Sequence, residues 1–256
     1  MNVTILCYSP TGGGKQLAQK VNITNAKIKL IDITNKEARA DISRINNTLK
    51  DTDILFLFVP VYSENIPNNI KSLLQNLEYS NYLCPCVTYG SICSGRVIND
   101  LIKCFKNPRV IGAAEFVCIH SYDLGRLTTR PNEEDFIKLK HLCELVNTRL
   151  MNNTIISDYF KTKKHLMSFF TRRFERNNVR LPICDKDKCN LCGLCTSSCP
   201  LGIIDNMANI IAKKSCTRCY ACVKVCMTNA RNQKISRFAS FYLRKKIDYS
   251  KDSIIY

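Results

Sequence analysis

Val3-Thr4-Ile5-Leu6-Cys7-Tyr8-Ser9-Pro10-Thr11-Gly12-Gly13-Gly14-Lys15 passes from an apolar, β-branched run into a turn of hydroxyl residues and glycines, after which Leu17, Ala18 and Val21 recur at helical spacing. A strand that turns sharply into a helix is the building unit of a parallel sheet. The turn aims backbone N–H groups at one point beside the positive end of the helix, so a phosphate suits it. Residue identity excludes two phosphate motifs. A Walker A loop needs glycine at Ser9 and serine or threonine at Gln16, and the dinucleotide fingerprint needs spaced glycines where Gly12, Gly13 and Gly14 are consecutive. The plainer alternative is a flexible glycine turn.

The same unit recurs outward from this start. Residues 28–33, 54–59, 84–89 and 110–118 are short, apolar and rich in β-branched or aromatic side chains, each followed by a longer helical stretch. Five such units predict an α/β fold with a five-stranded parallel sheet covered on both faces. The last helix opens at Pro131-Asn132-Glu133-Glu134-Asp135, with acidic residues where the helix dipole favours them. Phe136, Leu139, Leu142, Leu145 and Val146 mark its apolar face.

A different pattern takes over near the C-terminus. Cys189, Cys192, Cys195 and Cys199, followed by Pro200, and then Cys216, Cys219, Cys222 and Cys226 share the spacing C-x2-C-x2-C-x3-C. Three thiolates on one tight turn reach three iron corners of a cubane, and a remote fourth closes the cage. This is the spacing of a two-cluster bacterial-type ferredoxin, in which the last cysteine of each run binds the other run's cluster. Cluster I is therefore expected on Cys189, Cys192, Cys195 and Cys226, and cluster II on Cys216, Cys219, Cys222 and Cys199. Zinc needs two pairs and has no use for the third and fourth cysteines at these intervals. A disulfide framework belongs to short secreted chains. Here Met1 leads straight into the first strand, and no signal peptide is expected.

Composition fits two unequal units. With 256 residues and 45% apolar content, the chain can bury one core of about 150 residues, leaving a remainder that needs clusters to fold. The expected division is 1–150 for the α/β domain, 151–183 for a basic helical linker, 184–232 for the ferredoxin domain, and 233–256 for a basic, helical tail. Eight of the sixteen cysteines lie outside the two runs, which suits a reducing, anaerobic cytoplasm. The longest apolar stretch, 54–59, is far too short to span a bilayer. Two clusters and a bound phosphate would lower the formal charge of +17 to roughly +11. The excess sits in Lys161, Lys163, Lys164, Arg172, Arg173, Arg176 and Arg180, and again in Arg237, Arg244, Lys245 and Lys246. A basic face suits an acidic protein, nucleic acid or an anionic membrane, or is simply a solvated surface.

With these features in hand, the chain resembles the flavodoxin-ferredoxin fusion family, ferredoxins with an N-terminal flavodoxin-like region. The likeness lies in the Ser9 to Lys15 turn, Pro60-Val61-Tyr62 leading to Ile66-Pro67, Tyr89-Gly90, His120-Ser121, Arg130-Pro131 ahead of a helix with Asp135, and the two cysteine runs. It implies FMN at the carboxyl edge of the sheet. Ser9, Thr11, Gly12, Gly13 and Gly14 would hold the phosphate, with Lys15 adding charge. Pro60, Val61, Tyr62 and Ser63, and Tyr89, Gly90 and Ser91, would flank the isoalloxazine, and Tyr62 or Tyr89 would stack on it. The sequence departs from the family at Gly14, where a hydroxyl residue is usual, and at Met227, where a proline follows the last cysteine. Cys93 is a candidate redox thiol or an ordinary one, Cys184 a spare thiol, and His120 a packed histidine.

The expected function is an electron relay between FMN, two 4Fe-4S clusters and a redox partner protein with an acidic docking face. No catalytic residue of its own is singled out. A reductase of a small molecule acting at the flavin is the second reading, and a basic nucleic-acid binder with structural clusters the third. Specific nucleic-acid binding is not expected, because the basic stretches contain no recognition motif.

Overall fold

The computed structural model describes residues 1–123, 129–156, 173–174 and 177–256. Lys161, Lys163, Lys164, Arg172 and Arg176, and with them most of the expected basic linker, lie outside the described residues.

Five strands form the body of one sheet: β1 (Asn2–Cys7), β2 (Lys27–Asp32), β3 (Ile54–Pro60), β4 (Tyr82–Tyr89) and β6 (Ala114–Val117). They lie in the order β2-β1-β3-β4-β6 and pair in parallel throughout. Counting these five alone, the order is 2-1-3-4-5, that of a flavodoxin-like doubly wound sheet. The central strand β3 is buried from Ile54 to Val59, which is why it reads as an unbroken apolar run rather than an alternating one. Helices α3 (Ile42–Lys50), α4 (Asn68–Leu74) and α5 (Val97–Ile102) pack on one face through Leu49, Ile70 and Leu101. The helices α1 (Gly13–Ala18) and α6 (Glu133–Met151) cover the other through Leu17, Leu139 and Val146.

Two features of the sheet were not anticipated. The stretch read as one strand over 110–118 is divided into β5 (Arg109–Val110) and β6. Between them lies Gly112, where a Cβ would stand 2.9 Å from Val146 Cγ2, so that α6 presses directly on the backbone. The chain also returns at its end to add β9 (Ile254–Ile255), antiparallel to β6. A two-residue strand has too little sequence to show a period.

That return is anchored by Asp135. Its carboxylate closes a capping box at the start of α6, where Asn132 N donates to Asp135 Oδ2 at 2.8 Å and Asp135 N to Asn132 Oδ1 at 3.2 Å. The other oxygen accepts from Ser253 Oγ, which itself accepts from Val117 N of β6. Arg130 Nε lies 3.1 Å from Asp135 Oδ2, with both side chains buried. That N–H is not aligned for a hydrogen bond, so the pairing is coulombic, while Arg130 Nη2 donates to Lys251 O. One carboxylate thus joins α6, β6 and the C-terminal segment.

Helix α2 (Lys36–Ala40) follows β2 and carries Arg39. Among the described residues the remaining elements belong to the cysteine-rich unit and the tail. They are the two-stranded ladder β7 (Ile183–Cys184) with β8 (Arg231–Asn232), the one-turn helices α7 (Leu194–Ser197) and α8 (Ala221–Lys224), and the C-terminal helix α9 (Arg237–Lys246). No helix among the described residues is long and apolar enough to cross a membrane.

Replacing Asp135 with alanine strands Arg130 in the interior, and removal of one partner from a buried pair costs about 3–5 kcal/mol. The expected outcome is a fall in the urea midpoint with an unchanged slope. A midpoint equal to that of the wild type would contradict the anchoring role of Asp135.

Candidate functional site

The two cysteine runs adopt the same backbone. In each, the residue before the second cysteine is left-handed (Leu191, φ 55°; Arg218, φ 55°), and so is the residue after it (Gly193, φ 75°; Tyr220, φ 56°). A one-turn helix carrying the third cysteine follows, α7 or α8. Tyr220 is therefore the counterpart of Gly193. A side chain in this region costs roughly 1–2 kcal/mol. Tyr220 is held there by its hydroxyl, which donates to Arg180 O, and by an edge-on contact with Tyr122 at 5.5 Å.

The runs enclose two hollows. One is lined by Cys189, Cys192, Cys195 and Cys226. The other is lined by Cys216, Cys219, Cys222 and Cys199. Each hollow is thus lined by three thiols of one run and the last thiol of the other. Cys184 also lines the first hollow, a fifth thiol that spacing did not single out. Arg231 N donates to Cys226 Sγ at 3.2 Å. Burial pushes the Cys219 and Cys222 thiols up to about 12, so these sulfurs stay protonated until a metal takes the proton's place.

At the carboxyl edge of the sheet, Gly12 caps α1 with φ +90°, and a Cβ there would meet nothing within 4 Å. The turn is open above Gly12. A Cβ on Gly14 would stand 3.2 Å from Ser9 Oγ, which places the Ser9 hydroxyl inside the turn. Gly13 backs onto Cys118. Lys15 does not face the turn: its ammonium is 2.8 Å from Asp32 Oδ2. Burial acts to raise the Asp32 pKa, but hydrogen bonds from Lys15 and Thr34 outweigh it and hold the carboxyl below its usual range.

The two loops read as flanking a flavin lie side by side. Val61 N donates to Thr88 O, Tyr62 and Asn65 exchange backbone hydrogen bonds, and Ser63 and Glu64 are left-handed. Gly95 packs against Glu64, where any side chain would collide. Gly90 lies under the His120 ring, with room for no Cβ. Ser91 is buried and engaged by the tail, its hydroxyl accepting from Asp248 N and its carbonyl from Lys251 Nζ. Tyr89 is 8% exposed, whereas Pro60, Val61, Tyr62 and Ser63 are half-buried. Of the two tyrosines, Tyr62 keeps more ring surface to offer a planar ligand. Cys93 is exposed, yet desolvation on its inner side raises its thiol pKa, so it is less reactive at neutral pH than an ordinary thiol. Burial pushes His120 down to about 4, leaving a neutral, packed imidazole.

The cysteine unit sits on this edge. Arg39 stacks over the Tyr8 ring at 5.5 Å and donates to Ile33 O, Thr34 O and Pro200 O, the last being the residue after Cys199. Lys224 Nζ donates to Thr11 O in the glycine turn at 2.5 Å. His120, Tyr122 and Tyr220 form an aromatic row, with centroids 5.1 and 5.5 Å apart, running from Gly90 to the neighbour of Cys219. Sequence reasoning found each of the two regions but not Arg39, Tyr122 or Lys224, which join them. These contacts span many residues and leave no local signature.

Residues 181–227 match the 4Fe-4S dicluster domain family. No curated protein matches the chain. Among solved structures, the rubredoxin oxygen:oxidoreductase from the anaerobe Desulfovibrio gigas is 14% identical, with a TM-score of 0.46 over 59% of this chain and 36% of that one. An NADH:FMN oxidoreductase in its apo form is 14% identical, with a TM-score of 0.43 over 57% and 88%. A flavodoxin from the domain Archaea is 12% identical, with a TM-score of 0.41 over 59% and 99%. The chain spans little more than a third of the first of these. Likenesses at this level carry no chemistry, and the fold rests on the strand order. The chain joins a mostly parallel, flavodoxin-like α/β sheet to a C-terminal 4Fe-4S dicluster domain.

Proposed function

We propose that the chain is an electron-transfer iron-sulfur flavoprotein, relaying electrons between FMN at the sheet edge, two 4Fe-4S clusters and a redox partner protein. The observation that carries this reading is the seating of the cysteine unit on the glycine turn, through Lys224 to Thr11, Arg39 to Pro200 and the row from Gly90 to Tyr220. A flavin exchanges one or two electrons and each cluster one, so joining them matches two-electron donors to one-electron acceptors.

The residues present fit these groups. Cys189, Cys192, Cys195 and Cys226 would hold one cluster and Cys216, Cys219, Cys222 and Cys199 the other, each set lining one hollow. Ser9, Thr11, Gly12, Gly13 and Gly14 would hold the phosphate in the open turn. Pro60, Val61, Tyr62 and Ser63 would border the ring on one side, and Tyr89, Gly90 and Ser91 on the other. The C-terminal helix α9 offers the partner a basic surface: Arg237, Arg244, Lys245 and Lys246 are exposed on it. An acidic redox protein is the complementary partner.

Protein purified without oxygen is expected to contain about eight iron with matching sulfide per chain. Cys192→Ser and Cys219→Ser should each remove about half of that iron and destabilise the cysteine unit, because ligation and folding are coupled. About two zinc and no labile sulfide in the wild type would contradict the cluster assignment. Reversing the charges of Arg244, Lys245 and Lys246 should slow electron exchange with an acidic partner at low salt, with the difference shrinking above about 0.15 M ionic strength. An unchanged rate at low salt would remove α9 from the docking surface.

A further inference from the structure

The glycine turn is short of positive charge. Lys15, its own lysine, is paired with Asp32 at 2.8 Å, so the pair brings no net charge to a bound anion. Gly14 brings no hydroxyl. Ser9 is only 9% exposed, and its Oγ has no hydrogen-bond partner among the described residues while lying inside the turn. The hydroxyl oxygen is not sealed from solvent, so it is free to bond a ligand that enters the turn. A phosphate ester carries about −2 at neutral pH, and the backbone N–H groups and the Ser9 and Thr11 hydroxyls of the turn bring no full positive charge to meet it.

The missing cation comes from the other unit. Lys224 is exposed and has no carboxylate partner among the described residues, yet its ammonium reaches Thr11 O. An ammonium has three N–H donors. One is used on Thr11, and two remain for an anion held by the same turn. Lys224 follows Cys222 in α8 and precedes Cys226, so its place at the turn exists only when the cysteine unit is folded.

Building on the FMN reading above, we propose that Lys224 completes the phosphate site from the cluster-bearing unit, so that the flavin phosphate is clasped between the two domains. FMN affinity then depends on an intact cysteine unit, and by linkage bound FMN stabilises the docked arrangement. The specificity of the site for FMN over riboflavin resides in a residue that the flavodoxin-like domain does not contain.

The test titrates FMN and riboflavin into full-length, cluster-loaded protein without oxygen, following flavin fluorescence and assaying iron on the same samples. The wild type should prefer FMN to riboflavin. Lys224→Gln should keep its iron, weaken FMN by about 10- to 100-fold through loss of a charged hydrogen bond, and leave riboflavin binding unchanged. Lys224→Arg should recover most of the loss. Removing iron from the wild type with a chelator should weaken FMN in the same direction. Wild-type FMN affinity in iron-replete Lys224→Gln would overturn the role of Lys224 while leaving the FMN reading intact. A wild type that binds FMN no better than riboflavin would overturn that reading, and the proposal with it.

Discussion

The hydrophobic cluster inside the cysteine-rich unit has Cys199, Ile203, Ile204 and Cys222 as its buried members, and two of these four are thiols on the walls of its hollows. Apolar burial on this scale does not offset the conformational entropy of ordering some fifty residues. The unit's shape therefore depends on what its eight cysteines bind. Pro200, Tyr220 and Lys224, which touch the α/β domain, stand next to or between those cysteines. The joint between the domains consequently inherits the same dependence. Loss of ligation in one part would loosen the rim of the glycine turn in the other.

The α/β domain has the opposite character. Its sheet is buried on both faces by two large clusters, centred on residues such as Leu57 and Leu83 on one side and Phe56 and Phe116 on the other. It can stand on hydrophobic burial alone. Its rim is strapped by the C-terminal segment, which pairs with β6, satisfies Asp135 through Ser253, and holds Ser91 through Asp248 and Lys251. A stable sheet thus presents loops fixed from two directions, by the cysteine unit across the turn and by the tail across the loop at Ser91.

How much of this was legible in the sequence follows from the range of each interaction. The parallel sheet could be read because β3 and its neighbours are continuous apolar runs, and the dicluster domain because ligand spacing is local chemistry. The division of 110–118 depended on α6 pressing against Gly112, a contact made across more than thirty residues. β9 was too short to show a pattern. Lys15 reads from sequence as the turn's cation, but Asp32, at the end of the neighbouring strand β2, claims it. Lys224 reads as one charge among many in a basic chain. Tyr220 gave no signal of a left-handed backbone, because in the first run that position is glycine and in the second the strain is offset by a hydrogen bond and a ring contact.

The central claim is that flavin and clusters form one redox unit within the chain. The most direct measurement is a reductive titration of the fully loaded protein without oxygen, counting electrons while following the flavin and cluster absorbance together. Two one-electron clusters and one two-electron flavin should take up about four electrons per chain, with the bands of both centres changing. Uptake confined to the clusters, with no flavin change in protein supplied with FMN, would contradict the account.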